Sequence, residues 1–229
     1  MLISLVAAAV IPPETNEPVG YLAPVPGKPV AGVLVLHPWW GLNADVKATC
    51  NELAKAGYVA FAPDLFEGKT ANTEQQAEQL VQQNQSREKQ ISALIGESAA
   101  YLDKLAGKKE IGVIGFSFGA YYALKYSNQA PDRVRATVIY YGTGAEDFQN
   151  AKSSYLGHFA EQDPFEPADS VASLLGLLKG SHRKAEFFTY PGTGHWFAEP
   201  GVVKAYNKSA ADLAWSRTVN FLKQEFPSH

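Results

Sequence analysis

The chain has too few cysteines to staple itself. Cys50 is the only one among 229 residues, so no intrachain disulfide can form, and the composition fits a reducing compartment. A cytoplasmic protein is the expectation. Positive charge is also in short supply: 20 Lys and Arg stand against 23 Asp and Glu, a net charge of -3. That excludes the basic footprint by which nucleic-acid binders are recognised. Long hydrophobic runs are missing too. The apolar stretch from Leu2 to Ile11 is far too short to span a bilayer, and no Lys or Arg precedes Lys28, where a signal peptide would carry its positive charge. It reads as a first strand, with a signal or untrimmed precursor as the alternative, and no membrane partner is expected.

Several chemistry-bearing patterns fail as well. Gly68-Lys69-Thr70 ends like a phosphate-binding loop, but Pro63 stands where its first glycine is required. Gly142 and Gly144 begin a dinucleotide pattern whose third glycine position is Asp147. No His, Cys or Asp spacing reads as a metal site, so neither metal nor cofactor is expected. Internal repeats and a Pro/Gly/Ser-rich linker are absent, and residues 1–229 are expected to form one domain.

What is present alternates. Val30 to His37 is a continuous apolar run closed by Pro38, long enough for a buried strand. A helix follows, with Val46, Cys50, Leu53 and Ala54 on one face and Gly57 beyond its end. Cys50, on that apolar face, is expected to be a small buried hydrophobe. Tyr58 to Asp64 is another strand. A glutamine-rich stretch between Glu67 and Lys104 keeps apolar residues at helical spacing and predicts a solvated helix or helix pair. Strand and helix then recur in "EIGVIGF" and "FGAYYALKYSN". Strands are predicted at "VRATVIYYG" and "SSYLGHFA", a helix at "ADSVASLLGLLKG", a strand at "KAEFFTYPG" and a final helix at "AYNKSAADLAWSRTVNFLKQEF". Such alternation predicts an α/β fold with a mostly parallel sheet covered on both faces. Its chemistry belongs at the carboxyl ends of the strands.

Gly115-Phe116-Ser117-Phe118-Gly119 sits at one such end. It matches the G-x-S-x-G elbow, in which a strand turns so sharply into a helix that only glycine fits on either side of an exposed serine. Ser117 is therefore the candidate nucleophile, and the backbone N–H of Phe118, at the helix N-terminus, a candidate oxyanion donor. The serine needs a base, and on such elbows the chain order is Ser, acid, His. That order disfavours His37. His158 lies within a predicted strand and His182 in a solvated loop. His195, in the glycine-rich loop "PGTGHWF" after the last strand, is where a mobile base belongs. Asp163, between His158 and His195 and followed by proline, is the favoured acid, with Glu161 and Glu166 as rivals. In "HPWWGLN", Pro38 has no N–H, so Trp39 is the candidate second oxyanion donor. Trp40, Phe66, Phe165 and Trp196, with Phe118, are expected to wall the pocket.

These pieces in order resemble the dienelactone hydrolase family of α/β-hydrolases over nearly the whole chain. They are "GYLAPVPG", "LHPWWGLN", "YVAFAPDLFEG", "GVIGFSFGAYYA", "HFAEQDPFEP" and "YPGTGHWFAEP". The resemblance implies an α/β-hydrolase fold without a large cap, acting on small esters or lactones, and maps nucleophile, acid and base onto Ser117, Asp163 and His195. The sequence also departs from the lactone-hydrolysing members. Serine replaces their nucleophilic cysteine, and Pro38 stands where they carry a glutamate. Glu199 stands where a substrate-binding arginine would follow the histidine. Their second arginine has no secure counterpart, although Arg87 lies in the right stretch. Glu199 is expected either to place an anion at the pocket, disfavouring anionic lactones, or to face solvent before Pro200. A peptidase or acyltransferase on the same triad, and a non-catalytic ligand-binding protein, are the alternatives.

Overall fold

The apolar runs become strands because they are too short and too β-branched for buried helices. The computed structural model describes residues 17–25, 27–144 and 147–227. In chain order the strands are β1 (Gly20–Ala23), β2 (Gly32–Leu36), β3 (Val59–Pro63), β4 (Ile111–Phe116), β5 (Val134–Tyr140), β6 (Ser154–Gln162) and β7 (Ala185–Gly194). The helices are α1 (Ala44–Lys55), α2 (Glu74–Asn84), α3 (Glu88–Ala106), α4 (Phe118–Gln129), α5 (Ala168–Gly180) and α6 (Lys208–Glu225), with one 3-10 turn at Gln85–Arg87. The apolar stretch from Leu2 to Ile11 lies outside the described residues. The strand at β1 was not expected: four residues flanked by Gly and Pro carry almost no periodic signal.

The seven strands form one sheet in the order β1-β3-β2-β4-β5-β6-β7. Only β1 runs antiparallel, along the edge of β3; the other pairings are parallel. Every residue of β2, β3 and β4 is buried, which is why these strands read as unbroken apolar runs. Both faces are covered. A Cβ on Gly32 would meet Leu102 of α3, whereas one on Gly112 would meet Leu222 of α6. Gly32 pairs with Ile111, the residue before Gly112, so α3 and α6 pack on opposite faces. Cys50 is fully buried and its thiol pKa is pushed up to about 12 by that burial.

Helix starts follow their caps. Asn43, Thr73 and Asn207 each accept a backbone N–H from the first turn of α1, α2 and α6. No helix among the described residues is long and apolar enough to cross a membrane.

The chain leaves β2 toward β3 on one side, then returns to place β4 on the other and continues to β5. The connections therefore diverge between the carboxyl ends of β2 and β4. That divergence opens a crevice, the usual site for ligands in such sheets. The loop after His37 and the turn at Ser117 both lie there.

Candidate active site

Ser117 lies in the turn between β4 and α4, as the helix N-cap residue with φ of 49°, a conformation in which an L-residue is strained. Two flanking glycines allow the turn. A Cβ on Gly115 would stand 2.4 Å from the Gly119 carbonyl oxygen, and one on Gly119 would stand 2.2 Å from that of Leu36. Both distances lie inside backbone contact, so no side chain fits at either position. A third glycine serves the same turn, because a Cβ on Gly142 would come 2.7 Å from the Ser117 carbonyl oxygen. The Ser117 N–H donates to the Tyr140 carbonyl at 2.9 Å, continuing the sheet through the turn. The serine itself stays only half-buried.

The last strand supplies the imidazole. His195 follows β7, and its Nε2 lies 2.9 Å from Ser117 Oγ. Its Nδ1 lies 2.9 and 2.8 Å from the two carboxylate oxygens of Asp163. A carboxylate only accepts, so Nδ1 carries the hydrogen and Nε2 keeps a lone pair for the Ser117 hydroxyl. The His195 and Asp163 side chains are 4% and 2% exposed, which shields their pairing from water.

Asp163 does a second task. Its Oδ1 also accepts the N–H groups of Phe165 and Glu166, at 2.9 and 3.1 Å. The turn-forming role of a loop aspartate and the approach to histidine thus coexist in one residue. The two rival acids are engaged elsewhere. Glu161 accepts the Gly192 N–H at 2.9 Å. Glu166 accepts the N–H and the hydroxyl of Thr143, at 3.1 and 2.6 Å. Burial raises the Glu166 pKa, with those bonds opposing the rise.

The loop after β2 is clamped by His37. Leu65 N–H donates to His37 Nε2 at 3.1 Å, so the ring hydrogen is on Nδ1 and donates to the Pro38 carbonyl at 2.7 Å. Complete burial lowers the His37 pKa to about 4. Gly41 N–H also donates to the Pro38 carbonyl. With that carbonyl turned toward His37 and Gly41, and all described peptides trans, the Trp39 N–H points the opposite way. Phe118 is the first residue of α4, so its N–H has no intrahelical acceptor.

Aromatic rings surround the imidazole. Trp39, Trp40 and Trp196 pack with ring centroids 5.3–5.5 Å apart. Trp196 and Phe165 each lie 4.9 Å from the His195 ring. Phe165 is half-exposed and forms the outer wall. Phe66 is buried and touches His37 and Phe118, supporting the site from beneath.

Glu199 differs from both sequence expectations. It is 3% exposed, so it does not face solvent. Its Oε1 accepts the Tyr141 hydroxyl at 2.8 Å. Burial raises its pKa to about 8, Tyr141 opposing and Asp45 adding to the rise. The carboxyl is therefore mostly protonated at pH 7, which weakens any anion beside a substrate. Sequence reasoning did not single out Tyr141, whose ring lies 5.0 Å from that of His195 and whose φ is 36°. Its place at the carboxyl end of β5, beside Gly142, was the available signal. Arg87 pairs with Glu67 and Asn84. Among the described residues no group of three or more His, Cys, Asp or Glu could hold a metal ion.

The family model described as Dienelactone hydrolase family matches residues 19–226. Protein usf of Aquifex pyrophilus is 31% identical over 90% of this chain and 92% of its own. A protein of Aquifex aeolicus, provisionally named carboxymethylenebutenolidase, is 28% identical over 89% of this chain and 92% of its own. Among solved structures, a dienelactone hydrolase-like promiscuous phosphotriesterase from metagenomic libraries superposes with a TM-score of 0.77. It is 19% identical, over 88% of this chain and 89% of its own.

Proposed function

The chain belongs to the dienelactone hydrolase family, and from that premise we propose that it cleaves small carboxylic esters or lactones through an acyl-enzyme on Ser117. The observation that carries the proposal is the 2.9 Å approach of Ser117 Oγ to His195 Nε2, with Asp163 on the other ring nitrogen.

In this reading Ser117 Oγ attacks the carbonyl carbon while His195 Nε2 takes the hydroxyl proton. The imidazolium so formed faces the Asp163 carboxylate, which stabilises it and holds the tautomer. The tetrahedral oxyanion is received by the N–H groups of Phe118 and Trp39. The start of α4 adds the positive end of its dipole. His195 then gives its proton to the leaving alcohol, or to the ring oxygen of a lactone. Water enters, loses a proton to His195 and releases the acid from Ser117.

The aromatic wall of Trp39, Phe165 and Trp196 favours neutral esters with a short acyl or aromatic group. Repulsion by an ionised Glu199 contributes little, because its carboxyl is buried and mostly protonated at pH 7. The small-molecule substrate, together with the single buried Cys50, is consistent with a cytoplasmic enzyme.

The test is a fluorophosphonate probe followed by a panel of esters, lactones and short peptides. Label on Ser117 and turnover of esters or lactones are expected. A protein that takes no label and turns over nothing would instead be a hydrolase-like binding protein.

A further inference from the structure

A cavity of about 310 Å³ opens between α1 and α6, and Ser117, Asp163 and His195 are not among its lining residues. Phe116 and Tyr140 contribute to its lining from β4 and β5, with Val46 from α1, Ala211 and Trp215 from α6, and Tyr206 from the intervening loop. The volume is at the small end of the range for small-molecule sites, and such an apolar wall is typical of them.

The ionisable carboxyl groups on this cavity share its lining with no basic side chain. Asp45, Glu52, Glu199 and Asp212 line it, and no Lys, Arg or His does. Three of the four are already engaged. Asp45 Oδ2 accepts the Gly201 N–H at 2.7 Å. Glu52 pairs with Lys55 and Asp212 with Lys208, each at 2.6 Å. Glu199 is the exception. One of its oxygens accepts the Tyr141 hydroxyl, and the other, Oε2, is buried without a hydrogen-bond partner. An unpartnered carboxyl oxygen in an apolar wall is costly, and a cation beside it would offset that cost.

We propose that this cavity is a second binding site, which takes an organic monocation: an aryl- or alkylammonium whose charge meets Glu199 Oε2 and whose apolar part lies among Phe116, Tyr140 and Trp215. The aromatic lining suits this occupant twice, through buried apolar area and through attraction of the ring faces for a cation. A bare metal ion fits poorly, since the carboxylates do not group into a metal-binding cluster. An anion would meet four carboxyl groups. Because Glu199 holds its proton at pH 7, pairing with the cation releases that proton to the buffer.

Calorimetric titration of the full chain at pH 7 with 2-phenylethylammonium tests the proposal, with 2-phenylethanol and phenylacetate as neutral and anionic counterparts. The amine should bind at least tenfold more tightly than either, with a heat that depends on the ionisation enthalpy of the buffer. Glu199→Gln should lower amine affinity tenfold or more and abolish that buffer dependence. Trp215→Ala should weaken binding several-fold while leaving ester hydrolysis unchanged, and Phe165→Ala should leave amine affinity unchanged. Equal affinity for the alcohol and the amine would overturn the proposal. So would an amine affinity that falls in Phe165→Ala and not in Trp215→Ala, since that places the amine beside Ser117. Neither result bears on whether Ser117 is a nucleophile.

Discussion

His195 and His158 are both buried, both packed among aromatic rings and both hydrogen-bonded through the two ring nitrogens, yet their surroundings prepare them for opposite behaviour. His158 lies inside β6. Its Nδ1 meets the Tyr190 hydroxyl at 2.8 Å and its Nε2 the Thr218 hydroxyl at 3.0 Å. Those partners carry no charge to balance an imidazolium. Burial, helped by the nearby Arg217 cation, lowers its pKa to about 3. His195 has a carboxylate on one nitrogen and a half-buried serine on the other. Only this second arrangement can hold a proton in transit. Backbone strain divides the two regions in the same way. Ser117, Tyr141 and Trp196 have positive φ and adjoin His195, whereas no described residue of β6, β7 or α6 other than glycine does. Strain of this kind costs about 1–3 kcal/mol per residue, and three of the five described non-glycine residues with positive φ adjoin His195.

The two histidines should differ most through Ser117 and His195, the proposed nucleophile and base. Ser117→Ala or His195→Ala should lower kcat by 10³-fold or more, toward the roughly 10⁶-fold known for coupled triads, with the circular dichroism spectrum unchanged. Initial rates on a neutral ester measure this, and a Ser117→Ala protein at full rate would remove the elbow from the chemistry. Asp163→Asn should cost on the order of 10⁴ in kcat. It should also lower the melting temperature, because Asp163 caps its own loop. Glu161→Gln should change the rate by less than about threefold, and the reverse ranking would move the acid.

On the other side of the comparison, His158→Ala should leave kcat within a few-fold. It should destabilise the fold by about 2–4 kcal/mol, through a cavity and two stranded hydroxyls. Urea titrations beside rate measurements separate the two effects. A large kcat loss in the refolded variant would make His158 part of the chemistry.

The smallest effect is in pH, at about 1.4 kcal/mol per pH unit for each group. His37 and His158, lowered to about 4 and 3 from 6.5, stay neutral in the fold and become charged on unfolding in acid. Their contribution is complete above pH 6.5 and is lost as pH falls below it. Glu199, raised from 4.5 to about 8, acts the other way, and its contribution is lost as pH rises from 4.5 to 8. These three groups together place maximal stability near pH 6.5. Glu199→Gln should remove the decline between pH 6.5 and 8, as measured by urea unfolding at both values. A decline of the same slope in that variant would mean another group titrates there.

The proposed catalytic arrangement was legible to the extent that it is local. The turn at Ser117 demands glycine two residues to either side, and those glycines are visible in the sequence. Chain order and loop position pointed to Asp163 and His195, which the fold brings within hydrogen-bond distance. The fate of Glu199 was not legible, because it depends on Tyr141, 58 residues away in sequence. Gly142 looked like part of a broken dinucleotide motif, while its real constraint is the carbonyl of Ser117 in the turn that follows β4. β1 was invisible because an edge strand of four residues is defined by its pairing with β3 rather than by its own pattern. The long alternating elements were readable because burial on both faces leaves unbroken apolar runs.

The packing of Trp39, Trp40 and Trp196 gives the protein an optical readout of its own chemistry. The chain has four tryptophans; three stand within 5.5 Å of one another beside His195, and the fourth, Trp215, lines the cavity between α1 and α6. Indoles that close couple their electronic transitions, so their circular dichroism should carry a split band that shifts when an acyl group occupies Ser117. In Trp215→Phe all remaining indole emission would originate beside Ser117 and His195, and the proposed acylation step could be followed in a stopped-flow fluorimeter with an unlabelled, colourless ester.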